Sequence, residues 1–208
     1  MNILVADDHA IVRKGMKQLL LEQYPFARIG EASDVEQMIA LVINNKWDVA
    51  ICDINMPGRS GLDALKQIKD IAPALPVLIM SMYPEEQYAV RVLKAGAAGY
   101  LGKETIHDDL IKGIETVIRG KKFITQSVAE LLAEEMSLNR HSALHKSLSD
   151  REFDVFILLA SGLSVSKIAE KLLLSSTTVS TYRSRIVEKM DLHSTAEFTR
   201  YAIEKGLI

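Results

Sequence analysis

The sequence predicts an α/β domain built on a five-stranded parallel sheet, followed by a connector and a small all-helical domain. Three observations point there. Short apolar runs alternate five times with amphipathic helical stretches over roughly the first 120 of 208 residues, and five βα units in that length bury a parallel sheet between helical layers. Polar residues stand at the ends of the apolar runs, where an open parallel sheet presents its ligand-binding edge. From Leu148 onward the apolar spacing is helical throughout, with no strand signal.

Residues 3–5 form the first strand and close on Asp7-Asp8-His9; a helix follows from about Ala10, with Val12, Met16, Leu19 and Leu20 on one face. Residues 27–32 suit a second strand and 35–43 a second helix, ended near Asn44-Asn45. The third strand, 49–54, carries Asp53 at its tip and runs into Met56-Pro57-Gly58; helix 62–71 follows and stops before Pro73. Residues 76–82 make the fourth strand, with Ser81 near its end, and 85–94 a helix closed by Gly96. A short fifth strand, 99–101, leads to Lys103, and helix 108–119 aligns Leu110, Ile114, Val117 and Ile118. Residues 120–138 are partly helical, with Val128, Leu131, Leu132 and Met136 spaced to match, whereas 138–147 is polar and aperiodic and reads as a linker. The expected domains are therefore 1–120 and 148–208, with 121–147 connecting them.

Composition narrows the function classes. Apolar residues make up 48% and charged residues 25%, ordinary for a folded soluble chain. The apolar runs are strand-sized, too short to span a bilayer, so no membrane partner is expected. The start of the chain lacks a basic n-region, and the single cysteine, Cys52, asks for no disulfide, so a cytoplasmic setting is expected. Net charge is −2 overall: −3 over residues 1–120, +1 over 121–147 and zero over 148–208. A nucleic-acid face must then be a local cluster of cations within a neutral domain.

The strand edge brings together Asp7, Asp8, Asp53, Ser81 and Lys103. Taken singly, each is most simply a helix cap or a solvated side chain; together, at successive strand ends, they describe a site. Three carboxylates at one edge repel unless a hard cation neutralises them, and Mg²⁺ suits few carboxylates, retained waters and phosphate oxygens. Lys103 adds a second positive charge, and with both in place phosphoryl transfer needs little beyond positioning and charge stabilisation. Asp53 is the expected nucleophile, and the Ser81 hydroxyl can donate to a transferred phosphoryl oxygen.

In the C-terminal part, Ser149-x-x-Glu152 and Ser194-x-x-Glu197 are capping boxes that open helices, and Gly162 closes the first of these. Helix 164–172 is expected to bury Ile168, Ala169 and Leu172; after a tight turn at Leu173-Leu174, Ser175 caps a second helix with Val179, Ile186 and Met190 inward. Such a pair is a helix-turn-helix, whose second helix enters the major groove. Its outer face carries Ser180, Thr181, Arg183, Ser184 and Arg185, with Ser176 and Thr177 near the N-terminus. Hydroxyls and N-terminal amides can hold phosphates there, and Arg183, Arg185 and Lys189 supply charge.

Asp7-Asp8, the run Asp53-Ile54-Asn55-Met56-Pro57-Gly58, Ser81, Tyr100 and Lys103 resemble the receiver domain of two-component response regulators over residues 1–120. Leu148-Ser149-Asp150-Arg151-Glu152, Ile168-Ala169, Leu174-Ser175, Thr178-Val179 and Lys189-Met190 resemble the LuxR-type helix-turn-helix, so the whole chain is similar to the NarL/FixJ family. The resemblance implies a flavodoxin-like sheet of order 2-1-3-4-5 and a four-helix DNA-binding domain. It implies Mg²⁺ held by Asp8 and Asp53 directly, by the Asn55 backbone carbonyl, and by Asp7 through water. Ser81 and Tyr100 would be a switch pair, the Tyr100 ring turning inward when Ser81 is drawn to phosphate. Ser180, Thr181 and Ser184 would face bases, Lys167, Thr178, Tyr182 and Arg185 the DNA backbone, and helix 195–205 a second copy.

Partners implied are a sensor histidine kinase, double-stranded promoter DNA and a homodimer on that DNA. No enzymatic turnover is implied beyond Mg²⁺-dependent self-phosphorylation and slow loss of the phosphoryl group. Three residues depart from the family pattern: Met82 where a small residue is frequent, Val165 for a usual Asn and Tyr182 for a usual His. An aspartate-based phosphatase would place a second acid two residues after the nucleophile, where this chain has Asn55. An adaptor working by protein contact alone, with a degenerate helix-turn-helix, would lack the salt-dependent binding to promoter DNA that phosphate contacts impose.

Overall fold

The computed structural model describes residues 1–56, 59–137 and 143–208; Pro57-Gly58 and the linker stretch 138–142 lie outside the described residues. The chain divides into two compact units, Met1–Leu131 and Leu132–Ile208.

In the first unit β1 (Asn2–Ala6), β2 (Arg28–Ala32), β3 (Val49–Asp53), β4 (Val77–Ser81) and β5 (Gly99–Gly102) form one sheet in the order β2-β1-β3-β4-β5, and every pairing is parallel. The expected order is therefore observed. Val-Ala-Ile-Cys-Asp and Val-Leu-Ile-Met-Ser of β3 and β4 are buried along their whole length, as central parallel strands covered on both faces must be. Edge strand β2 instead exposes Arg28 and Glu31. Around the sheet lie α1 (Ala10–Gln23), α2 (Val35–Asn44), α3 (Gly61–Ile71), α4 (Glu85–Lys94) and α5 (Ile106–Ile118), followed by α6 (Gln126–Ser137). Ile3, Val5, Ile51, Leu78, Met80 and Leu101 pack against Met16 and Leu20 of α1 and Leu110 and Ile114 of α5; the alternating strand residues face the opposite layer. Each such fully buried aliphatic side chain contributes about 1.5–3 kcal/mol.

Register places the site. Ala6 pairs with Cys52, Asp53 with Met80 and Ser81 with Gly102, so the strand C-termini end level and the residues that follow them meet.

The second unit is helical: a 3-10 turn at Leu144–Ser147, then α7 (Asp150–Ala160), α8 (Val165–Leu172), α9 (Ser176–Met190) and α10 (Thr195–Glu204). Both expected capping boxes form, Ser149 with Glu152 and Ser194 with Glu197, and Ser164 and Ser175 cap α8 and α9; such a cap contributes about 1 kcal/mol. Phe156 meets Phe198 edge to face at 5.8 Å in the core. The turn between α8 and α9 passes through Leu173 in the left-handed region, φ 50°, and Leu172 before it is half-buried, not buried as its spacing suggests. No helix of the described residues is long and apolar enough to cross a membrane.

Candidate functional site

At the strand edge Lys103 Nζ lies 2.7 Å from Asp7 Oδ2 and 2.7 Å from Asp53 Oδ2. Asp7 is wholly buried and Asp53 nearly so, which is sustainable because one ammonium serves both carboxylates. Burial pushes the Asp53 carboxyl up to about 6; the Lys103 hydrogen bond opposes this rise and Asp7 adds to it. Burial works against the Lys103 ammonium too, but its hydrogen bonds to Asp53 and Asp7 hold it above its ordinary value. Asp53 Oδ1 also accepts from the Asn55 N–H at 3.3 Å. Cys52 is buried beneath, its thiol donating to the Asp53 carbonyl and pushed up by burial and then by the Asp53 charge. Its role is packing. A Cβ at Gly61, the first residue of α3, would lie 2.1 Å from the Asp53 carbonyl oxygen, so only glycine lets α3 begin this close.

The acidic loop after β1 supplies the rest. One ligand atom each from Asp7, Asp8, His9 and Asp53 lies within 4.8 Å of the others. His9 Nδ1 stands 2.7 Å from Asp8 Oδ1, but without the angle of a hydrogen bond, and that buried oxygen has no hydrogen-bond partner. A buried carboxylate oxygen without a donor, beside two further carboxylates, fits an oxygen-seeking hard cation. His9, 63% exposed in its side chain, was not singled out by sequence reasoning; its place directly after two acids was the available signal.

Ser81 and Tyr100 meet through a third residue. The Tyr83 N–H donates to Ser81 Oγ at 3.0 Å, and the Tyr100 hydroxyl donates to the Tyr83 carbonyl at 2.6 Å. Tyr100 is 2% exposed, so its ring already points inward; burial raises its hydroxyl pKa, and Ser81 beside it opposes that. Met82, next to Ser81, is 63% exposed.

In the second unit Ser176, Thr177, Ser180, Thr181, Ser184 and Arg185 are exposed along α9, as is Lys167 on α8. Thr181 Oγ1 donates to the Thr177 carbonyl at 3.0 Å and Ser184 Oγ to the Ser180 carbonyl at 3.1 Å, which leaves oxygen lone pairs facing solvent. Thr178 is half-buried and shares its hydroxyl with the cap Ser175 at 2.8 Å. Arg183 does not stand on the outer face as expected; with Tyr182 it is half-buried. The reason is helical spacing: 182 and 183 flank the stripe of Val179, Ile186 and Met190, all buried. Lys189 is exposed, and its ammonium donates to Glu152 Oε2 at 2.6 Å. Burial works to raise the carboxyl of Glu152, but Lys189 and Ser149 hold it below its ordinary value.

Comparison with known proteins finds two family matches: a response regulator receiver domain over residues 3–115 and the luxR family of bacterial regulatory proteins over residues 146–202. The chain is 35% identical over 215 residues to the oxygen regulatory protein NreC of Staphylococcus haemolyticus, covering 100% of this chain and 99% of the relative. It is 32% identical over 207 residues to the response regulator UvrY of Escherichia coli K12, covering 99% and 95%. Among solved structures it resembles RcsB from Salmonella enterica serovar Typhimurium bound to promoter rprA with the phosphomimetic BeF3⁻, at TM-score 0.64 and 28% identity over 97% of this chain and 98% of that one.

Proposed function

The chain belongs to the two-component response regulators that join a receiver domain to a luxR-family DNA-binding domain, and we propose that Asp53 is its phosphoryl acceptor and α9 its DNA-reading helix. On this reading residues 1–120 form the receiver, 121–147 connect, and 148–208 bind promoter DNA in the cytoplasm.

The donor is a phosphohistidine on a sensor kinase. An Asp53 carboxylate oxygen attacks phosphorus; the P–O bond forms as the P–N bond breaks, and the released imidazole takes up a proton. Asp8, Asp53 and the Asn55 backbone carbonyl, with Asp7 through water, would hold Mg²⁺, which would supply charge neutralisation for the phosphoryl oxygens. Lys103 moves its ammonium from the shared carboxylates to the incoming phosphoryl charge. Ser81 turns its hydroxyl to a phosphoryl oxygen and so withdraws the acceptor from the Tyr83 N–H. The Asn55 carboxamide is neither an acid nor a base near neutral pH, so it can neither protonate a leaving group nor activate water against the acyl phosphate, which persists, and the chain regulates instead of turning over.

One observation above the rest supports this reading: Lys103 bridges two buried carboxylates at an edge where Asp8 keeps a carboxylate oxygen without a donor. For the output, Ser180, Thr181 and Ser184 face bases, while Lys167, Ser176, Thr177, Thr178, Tyr182, Arg183 and Arg185 contact or approach phosphates. Hydroxyls make few bidentate base contacts, so water and DNA shape carry much of the specificity. Pairing of two copies through α10, whose Ile203 is 62% exposed, would set two α9 helices about 34 Å apart on half-sites one helical turn apart. The test is a DNA titration of wild type and Asp53→Ala, each with and without an acyl-phosphate donor and Mg²⁺. The donor should tighten wild type by about tenfold, a typical coupling, and leave Asp53→Ala unchanged. Equal affinity in all four removes the gating.

A further inference from the structure

Both switch positions of the strand edge lead to the start of α6. Tyr83 is held at both sides of its backbone, by Ser81 at its N–H and by Tyr100 at its carbonyl. Its ring stacks on Tyr88 of α4, centroids 5.1 Å apart. Pro84, with its fixed φ, joins it to Glu85 at the first position of α4. The Glu85 carboxylate then reaches out of its own helix: Oε2 accepts from Thr125 Oγ1 at 2.8 Å and also from Ser127 Oγ. Thr125 is where α6 begins. Its Oγ1 accepts from the Val128 N–H at 3.3 Å and its carbonyl from the Ala129 N–H at 3.0 Å.

A second tie runs beside the first. Gly99, the residue before Tyr100, bridges in parallel to Phe123, whose N–H donates to the Ala98 carbonyl at 2.8 Å. A Cβ at Gly99 would come within 2.7 Å of the Phe123 carbonyl oxygen, so glycine is what admits the connector here. The plainer account of Glu85 is that an acid in a first helical turn complements the helix dipole. Glu86 in the same turn already does that, and the dipole does not account for two hydroxyl contacts 40 and 42 residues along the chain.

Resting on the assignment of Asp53 as phosphoryl acceptor, we propose that Glu85 is a positioning residue that transmits the state of Asp53 to the N-terminus of α6. When Ser81 leaves the Tyr83 N–H for a phosphoryl oxygen, the Tyr83–Glu85 segment shifts. The shared Glu85 carboxylate then draws Thr125 and Ser127, and the cap of α6 loosens. α6 is the element on which the chain leaves the first unit, so this joint stands at the exit.

The full chain is treated with acetyl phosphate and Mg²⁺, phosphate uptake is followed by intact mass, and amide exchange is followed over residues 126–137. Phosphorylation should change exchange in the first turn of α6 by about threefold or more in wild type, a local opening effect. Glu85→Ala should take up phosphate at the wild-type rate, which also reports a folded site, yet lose that change. Glu85→Gln keeps an oxygen acceptor for both hydroxyls and should retain it. A Glu85→Ala protein that responds like wild type overturns the joint, as does a Glu85→Gln protein that fails like Glu85→Ala. If wild type takes up no phosphate, the acceptor assignment falls and the joint with it, an outcome the mass alone identifies.

Discussion

Around Asp53 the proposed working groups Asp7, Asp53 and Lys103 touch one another and are largely withdrawn from solvent; along α9 the proposed contact residues Ser180, Thr181, Ser184 and Arg185 are exposed. Lys103 gives its ammonium to Asp7 and Asp53 at 2.7 Å each, whereas Thr181 and Ser184 donate only to carbonyls one turn back. The first arrangement is coupled, since a change in any charge alters what the others cost to bury. The second would be additive on the proposed reading, each side chain contributing separately when a polyanion binds. Input and output thus rest on different physics.

The comparison breaks first at Lys103. Lys103→Met leaves two buried carboxylates without a counter-charge, and the first unit should lose about 3 kcal/mol in urea unfolding with chelator present; Mg²⁺ should restore part of it. Unchanged stability would mean the edge is no more coupled than α9. Next comes Asp53→Asn. The folded carboxyl is raised from 3.8 to about 6, so between those values the native state binds more protons than the unfolded state. Stability contributed by this group is therefore present at low pH and lost as pH rises from about 4 through 6. Without metal at pH 7, Asp53→Asn should be more stable than wild type by about 3 kcal/mol and should lack that decline, checked by denaturant titrations across pH.

On the output side the expected effects are smaller and separate cleanly. Lys189→Met removes the partner of Glu152, which is 3% exposed; with Lys189 itself 39% exposed, the loss should be about 1 kcal/mol in the second unit. The slope of log affinity against log salt should hardly move. Arg185→Ala should do the reverse, lowering that slope by about 1 while stability stays within about 0.5 kcal/mol. Smallest is Met82→Ala, which should speed phosphorylation by small acyl phosphates a few-fold by clearing a side chain beside Ser81; unchanged kinetics would remove Met82 from the access path.

How much could be seen in the sequence differs along the same line. A parallel sheet forces every strand C-terminus to one edge, so Asp7, Asp8, Asp53 and Lys103 could be assembled from strand ends alone. Tyr83 could not, because two backbone hydrogen bonds join it to Ser81 and Tyr100, and no side-chain pattern encodes those. Asp8's donorless oxygen and His9's approach to it depend on loop geometry that no periodicity encodes. On α9 the spacing of Val179, Ile186 and Met190 puts Tyr182 and Arg183 beside the buried stripe, although the polarity of Arg183 alone suggests the outer face. Lys189 was unreadable for another reason: its partner Glu152 stands 37 residues earlier, on a helix whose packing had to be known.

Gly61 adds a mechanical consequence. With no Cβ, α3 seats its first residue against the Asp53 carbonyl, and the Gly61 N–H donates to the Ile54 carbonyl at 2.8 Å, so on that side the acceptor is set in a rigid mount. On the other side the Tyr83 segment is held through side chains, by the hydrogen bonds of Ser81 and Tyr100 and by the stack of its ring on Tyr88, a soft spring by comparison. A charge placed on Asp53 would, on the proposed reading, do its work against the compliant side. The stiff mount would then turn an equilibrium at one carboxylate into displacement in a single direction, toward α4.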